Sequence, residues 1–228
     1  MNFKQAHSSN FKSGRTGEIK YIVIHYTSND NDTAKNNVDY YAREPLETSA
    51  HYYVDKNEVW QSVKEGDTAY HCGAYAYQHP YCRNSNSIGI ELCSRYTGNI
   101  KKDKKNNTVD FNKYYFEDAV VSNAVNLTKE LMEKYNIPID RVIRHYDVTG
   151  KTCPAPFVTK STEWDKFKSK LTQATVQELT TPNDIVWELG HRGIVTDTKG
   201  MLEEMNKNPN GRLYWLARKA LHYIRTKK

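Results

Sequence analysis

The stretch Arg141-Val142-Ile143-Arg144-His145-Tyr146-Asp147-Val148-Thr149-Gly150-Lys151-Thr152-Cys153-Pro154 decides how the chain is read. Its first four residues predict a short strand that feeds His145. Cys153 follows eight residues later, enough chain to turn back toward the same point. A second apolar run, Tyr21-Ile22-Val23-Ile24, ends in His25. Side chains at strand ends project into a cleft beside the sheet, so two imidazoles and one thiolate can meet there. Zinc takes neutral imidazole and deprotonated thiolate. Three protein ligands leave a fourth tetrahedral position for water, the arrangement of a catalytic rather than a structural site. His51, His71, His79, His191 and His222 compete as donors, so spacing alone does not single out His25, His145 and Cys153.

Working outward, strands and helices mix along the first 172 residues. A helix is expected over Thr33–Arg43, with Asp32 as N-cap and Pro45 just beyond its end. His51–Val54 and Val59–Val63 read as a hairpin joined by Asp55-Lys56-Asn57-Glu58. Ile88–Cys93 is an apolar strand. The Lys/Asn-rich segment 99–110 reads as a surface loop. Phe116, Val120, Ala124, Leu127 and Leu131 recur at helical spacing, predicting a long helix over Tyr114–Tyr135 that Asn136-Ile137-Pro138 stops. A last helix is expected over Thr162–Leu171.

Residues 173–182 are polar, Thr-rich and end in Pro, which predicts a linker. Beyond it, residues 183–228 read as three helices. Ile185, Val186 and Leu189 mark the first. Met201, Leu202 and Met205 mark the second. Leu213, Leu216, Ala217, Ala220, Leu221 and Ile224 mark the third. So small a unit has a thin core and leans on a neighbour or a second copy of itself.

Charged residues make up 26% of the 228 and hydrophobic ones 38%, the balance of a globular chain. The 17 tyrosines suit flat polar ligands such as sugars, or simply fill cores. The formal net charge is +6, and residues 183–228 hold nine Lys/Arg against five Asp/Glu. That end suits an anionic partner, or is a solvated face. It lacks the dense basic stripe of a nucleic-acid binder. No stretch approaches the roughly 18 apolar residues that span a bilayer. Met1–Asn10 has no apolar signal core, so synthesis in the cytoplasm is expected. The cysteines are Cys72, Cys82, Cys93 and Cys153, without a CxxC pair. If Cys153 holds metal, an odd number remains, which suits a reducing compartment. A Cys72–Cys82 or Cys82–Cys93 bridge stays open.

Two residues sharpen the metal reading. Glu91 stands in the otherwise apolar strand, where a carboxylate is unfavourable unless it is paired or part of a site. Beside zinc it could take a proton from water as a general base; otherwise it faces solvent. Lys151, two residues before Cys153, could stabilise an oxyanion, or is a solvated loop lysine.

Five blocks in fixed order carry a resemblance: Ile24-His25-Tyr26-Thr27, Ser49-Ala50-His51-Tyr52, Tyr70-His71-Cys72-Gly73, Ser87-Ile88-Gly89-Ile90-Glu91, and His145 with Gly150-Lys151-Thr152-Cys153-Pro154. Over residues 15–172 the chain resembles the type 2 zinc-dependent N-acetylmuramoyl-L-alanine amidases, a family that includes phage endolysins and peptidoglycan recognition proteins. The resemblance implies a mixed central sheet flanked by helices and hydrolysis of the amide between N-acetylmuramic acid and L-alanine in peptidoglycan. It implies zinc on His25, His145 and Cys153, Glu91 as the water-activating residue and Lys151 as the transition-state cation. His71, with Tyr26 and Thr152, is expected to line the substrate groove. Some phage members carry Tyr before the second-block His; Ala50 stands there, so a proton role falls to Glu91.

Residues 184–193 and 211–217 resemble, more loosely, the helical module of clostridial amidases. That implies wall targeting through Trp187, Tyr214 and Trp215, contact with anionic wall polymers, or a homodimer. A phage endolysin acting after membrane permeabilisation fits the missing signal best. The alternatives are a non-catalytic peptidoglycan-binding protein, against which Cys153, Glu91 and Lys151 argue, and an intracellular amidase for recycled wall fragments.

Overall fold

All six residues of the run Tyr21–Tyr26 are buried, because this strand lies inside a sheet covered on both faces. The computed structural model describes residues 2–172, 182–191 (backbone alone at 183, 184, 187, 188 and 191), 195–208, 211 and 217. The chain divides into two compact units, Met1–Thr172 and Gln173–Lys228.

In chain order the first unit contains β1 (Asn2–Phe3), β2 (Phe11–Lys12), β3 (Tyr21–Tyr26), α1 (Ala34–Arg43), β4 (Tyr52–Val54), β5 (Val59–Gln61) and β6 (Thr68–Ala69). There follow β7 (Ser87–Leu92), β8 (Arg95–Tyr96), α2 (Ile100–Asn106), β9 (Tyr114–Tyr115), α3 (Asp118–Tyr135) and β10 (Val142–Arg144). Three helices, α4 (His145–Thr149), α5 (Ala155–Thr159) and α6 (Ser161–Thr172), complete it. The main sheet runs β1-β5-β4-β7-β3-β10. Only the β4–β5 hairpin is antiparallel, so the sheet is mixed, as expected.

Alternation along the strands divides the core. Ile22, Ile24, Ile88 and Ile90 pack with Val120, Ala124, Leu127 and Leu131 of α3, and with Phe157, Phe167 and Leu171. Tyr21 and Val23 face Ile143, Val148, Cys72 and Cys82. Each large side chain so enclosed contributes about 1.5–3 kcal/mol. Asp55 joins three elements. One carboxylate oxygen accepts from the Asn57 and Glu58 N–H groups of the hairpin turn at 2.7 and 2.9 Å, and the other accepts from Ala34 N–H at 2.8 Å, where α1 begins.

Three details differ from the expectations. The N-cap of α1 is Thr33, whose hydroxyl accepts from Asn36 N–H at 3.0 Å, not Asp32. Asp32 instead takes hydrogen bonds from Thr27, Asn29 and Asn37. Segment 99–110 is not all loop: α2 forms there, capped by Asn99 and ended by Asn107 at φ 56°. None of its residues is fully buried, so it carries no apolar stripe to read. The long helix starts at Asp118 rather than Tyr114, because Tyr114 pairs with β8 and buries its ring against Tyr26 and Tyr96.

The second unit contains α7 (Pro182–His191) and α8 (Thr198–Lys207). Ile185, Val186, Leu189, Met205 and Ala217 form its buried cluster. The expected third helix lies outside the described residues except for Ala217, which is helical. Residues 173–181 of the expected linker lie outside them too, and Pro182 is the first residue of α7.

Candidate metal centre

His25 is the fifth residue of β3, on the same face as Tyr21 and Val23. Strand β10 pairs with β3 up to Arg144 opposite Ile24, so the next residue, His145, arrives beside His25. The two rings lie 4.6 Å apart between centroids. His145 opens α4, whose start is held by Asp147 accepting from Arg144 N–H at 2.8 Å and pairing with its guanidinium at 2.7 Å. Gly150 ends α4 at φ 79°, a conformation that favours glycine. The chain then doubles back: Tyr146 N–H donates to the Cys153 carbonyl at 2.7 Å. Cys153 Sγ thereby lies 3.7 Å from His25 Nδ1. One donor atom from each of His25, His145 and Cys153 falls within 4.8 Å of the others, and all three residues are buried. Two imidazoles and a thiol this close are the donor set that zinc prefers.

The electrostatics suit a cation. Burial, then the neighbouring His145 and His71, hold His25 well below the ordinary imidazole pKa. Burial, then Lys151, lowers His145 to about 3. Both rings are therefore neutral and able to ligate. Burial pushes the Cys153 thiol up, with Glu91 adding to the shift and the Tyr26 backbone N–H and Lys151 opposing it. A divalent cation would supply the charge that the thiolate needs.

Glu91 of β7 is the register partner of His25 on β3 and of Tyr53 on β4. Its Oε2 is buried without a hydrogen-bond partner. Burial raises its pKa to about 8, although Lys151 pulls the other way. A cavity of about 580 Å³ opens over this group. Its lining includes His25, Tyr26, His71, Glu91, His145, Lys151, Thr152 and Cys153, so every site residue expected in the first unit reaches one space. Neither His51 nor His71 belongs to the candidate metal cluster. Both nitrogens of His71 are engaged within the protein, by His25 and Ser87. Ala50 is fully buried against α1 and Tyr53.

The cavity also has walls that were not anticipated: Tyr41, Tyr53 and Phe111. Tyr53 stacks on Tyr41 at 5.5 Å. Its strand was legible, but its place beside Glu91 depends on a register that no local pattern gives. Of the expected wall-binding residues, Trp187 belongs to α7 with its side chain outside the described residues, and Tyr214 and Trp215 lie outside them altogether.

A mixed α/β sheet carrying a two-histidine, one-cysteine donor set beside a buried carboxylate defines the class of fold and site. Residues 15–156 match the family model described as N-acetylmuramoyl-L-alanine amidase, and the chain belongs to that family. N-acetylmuramoyl-L-alanine amidase CwlL of Bacillus licheniformis is 31% identical over 166 residues, 67% of this chain and 41% of that protein. N-acetylmuramoyl-L-alanine amidase BlyA of Bacillus subtilis strain 168 is 32% identical over 166 residues, again 67% and 41%. The chain thus spans well under half the length of either relative. Among solved structures, PlyL is 28% identical with a TM-score of 0.59, covering 77% of this chain and 99% of that one. The catalytic domain of XlyA is 26% identical with a TM-score of 0.54, covering 75% and 99%.

Proposed function

We propose that the chain hydrolyses the amide between the lactyl group of N-acetylmuramic acid and L-alanine in peptidoglycan, lysing the cell wall as an endolysin, with Zn2+ held by His25, His145 and Cys153. The observation that carries this reading is the convergence of those three donors, within 4.8 Å of one another, on a cavity that also presents Glu91. When bound, the cation supplies Lewis acidity and positive charge at the scissile carbonyl.

The protein's own groups supply the rest. Glu91, with an unpartnered oxygen at the cavity wall, takes the proton of the attacking water and returns it to the departing L-alanine nitrogen. Lys151 brings an ammonium to the same cavity, where it offsets the negative charge that develops on the carbonyl oxygen. Tyr26 and Thr152 line the groove that receives the substrate, and the His71 ring forms part of its wall. Binding without hydrolysis would leave Glu91 and Lys151 without a role.

The basic unit at residues 183–228 is proposed to hold the enzyme to the wall through Trp187, Tyr214 and Trp215, to meet anionic wall polymers, or to pair two copies. Its excess of Lys/Arg supports this. Among the described residues no helix is long and apolar enough to cross a membrane. Action at the wall after synthesis in the cytoplasm and permeabilisation of the membrane belongs to the same proposal.

Product analysis on purified walls tests the reaction. New alanine amino termini without new reducing sugar ends are expected. Walls that release neither, or release sugar ends instead, would overturn it.

A further inference from the structure

Ser87, Gly89 and Glu91 alternate along β7 and share one face with Tyr21, Val23 and His25, their register partners on β3. The His71 ring lies across this face. Its Nδ1 is 3.0 Å from His25 Nε2, and its Nε2 is 3.0 Å from Ser87 Oγ. Ser87 Oγ is in turn 2.7 Å from the Arg83 carbonyl oxygen. Gly89 makes room for the ring: a Cβ there would come within 2.6 Å of His71 Cγ. The backbone that carries the ring is pinned by Asn84, whose side-chain oxygen accepts from the His71 and Cys72 N–H groups at 3.1 and 2.8 Å.

Donor and acceptor chemistry assigns a direction to each proton in this chain; Ser87 Oγ also has the weak partner Cys72 Sγ at 3.8 Å. A carbonyl oxygen only accepts, so the single Ser87 hydroxyl proton goes to Arg83. Ser87 must then accept from His71 Nε2–H. With its proton on Nε2, the His71 ring presents Nδ1 as an acceptor to His25 Nε2–H. His25 is left with a bare Nδ1, the atom that faces Cys153 Sγ. A cation on His25 Nδ1 requires the same tautomer, so the assignments made from the two ends agree. Ser87 is fully buried, so water does not compete for its hydroxyl.

We infer that His71, fixed by Ser87 and the Arg83 carbonyl, is a positioning residue that locks His25 in the tautomer and orientation needed to ligate metal through Nδ1. The inference rests on the proposed metal reading of His25. The second group behind a metal-bound histidine is commonly a carboxylate or a carbonyl. Here it is an imidazole, which has no anionic oxygen. The donor set then brings one negative charge, that of Cys153, instead of two, which leaves more of the cation's charge for the substrate.

The test uses the full chain. Nitrogen-15 NMR of the metal-free, labelled protein should find both His25 and His71 as Nε2–H tautomers. Zn2+ titration should then give affinities lowered about 10–100-fold by Ser87→Ala, and likewise by Gly89→Ala, which displaces the ring without removing a polar group. An Nδ1–H tautomer at either histidine, or wild-type Zn2+ affinity in both variants, would overturn the inference while leaving the metal reading intact. A wild-type chain that binds no Zn2+ would overturn the metal reading itself, and this inference with it.

Discussion

His25 and Glu91 are register partners on the neighbouring parallel strands β3 and β7, so the first candidate metal donor and the carboxylate stand side by side on one face of the sheet. This pairing separates two roles that sit close together in space. In the proposed mechanism one side chain holds the cation, and the other, with an unpartnered oxygen, handles protons. Glu91→Ala should therefore lower hydrolysis of purified wall by about 10²–10⁴-fold, while the metal content of the protein stays at the wild-type level. Near-native activity in that variant would remove the base assignment.

The raised pKa of Glu91 makes a statement about stability. Its carboxyl moves from 4.5 to about 8, chiefly through burial. The metal-free fold thus keeps a proton that the unfolded chain has already released. This contribution is complete below about 4.5 and is lost as pH rises through about 8. The buried imidazoles of His25 and His145 titrate in the opposite sense, since their pKa values are lowered. The difference between Glu91→Gln and wild type therefore isolates Glu91. In thermal unfolding of metal-free protein, the variant's Tm should gain on the wild type's as pH rises from 5 to 8.5. Parallel Tm profiles would contradict the assigned shift.

Asp55 tests the frame that carries the site. It is buried and accepts hydrogen bonds from Ala34, Asn57 and Glu58, tying α1 to the β4–β5 hairpin. Asp55→Ala leaves backbone donors unsatisfied and should destabilise the first unit by about 3 kcal/mol in denaturant unfolding. A loss below about 0.5 kcal/mol, the size of an ordinary surface change, would show that these bonds are replaced by water.

Much of the candidate site was legible because its residue types are chemically conspicuous. Cysteine and histidine at strand ends, and a glutamate inside an apolar strand, stand out against any local background. The long helix was legible through Val120, Ala124, Leu127 and Leu131, since a buried stripe must repeat at helical spacing. What escaped depends on non-local contacts. The capped helix at Ile100–Asn106 has no fully buried residue, hence no stripe. Tyr114 looked helical until its ring found Tyr26 and Tyr96. His71 read as a groove residue, and its bonds to His25 and Ser87 follow from a register that only the folded sheet sets.

The helical unit gives a separable prediction. In the full chain, alanine at Trp187, Tyr214 and Trp215 together should weaken binding to whole walls and leave hydrolysis of a soluble muramoyl peptide at the wild-type rate. Unchanged wall binding would remove the targeting role, and the self-association of the chain would then be the property to measure.

The centre itself is tested most directly by metal analysis of wild type and His145→Ala, paired with release of alanine amino termini from purified wall. The expected result is one zinc per wild-type chain, lost from the variant together with at least about a hundredfold of the hydrolysis, since even an outer-shell change at such sites lowers affinity or activity by that order. Undiminished hydrolysis by a variant free of metal would contradict a zinc centre built from His25, His145 and Cys153.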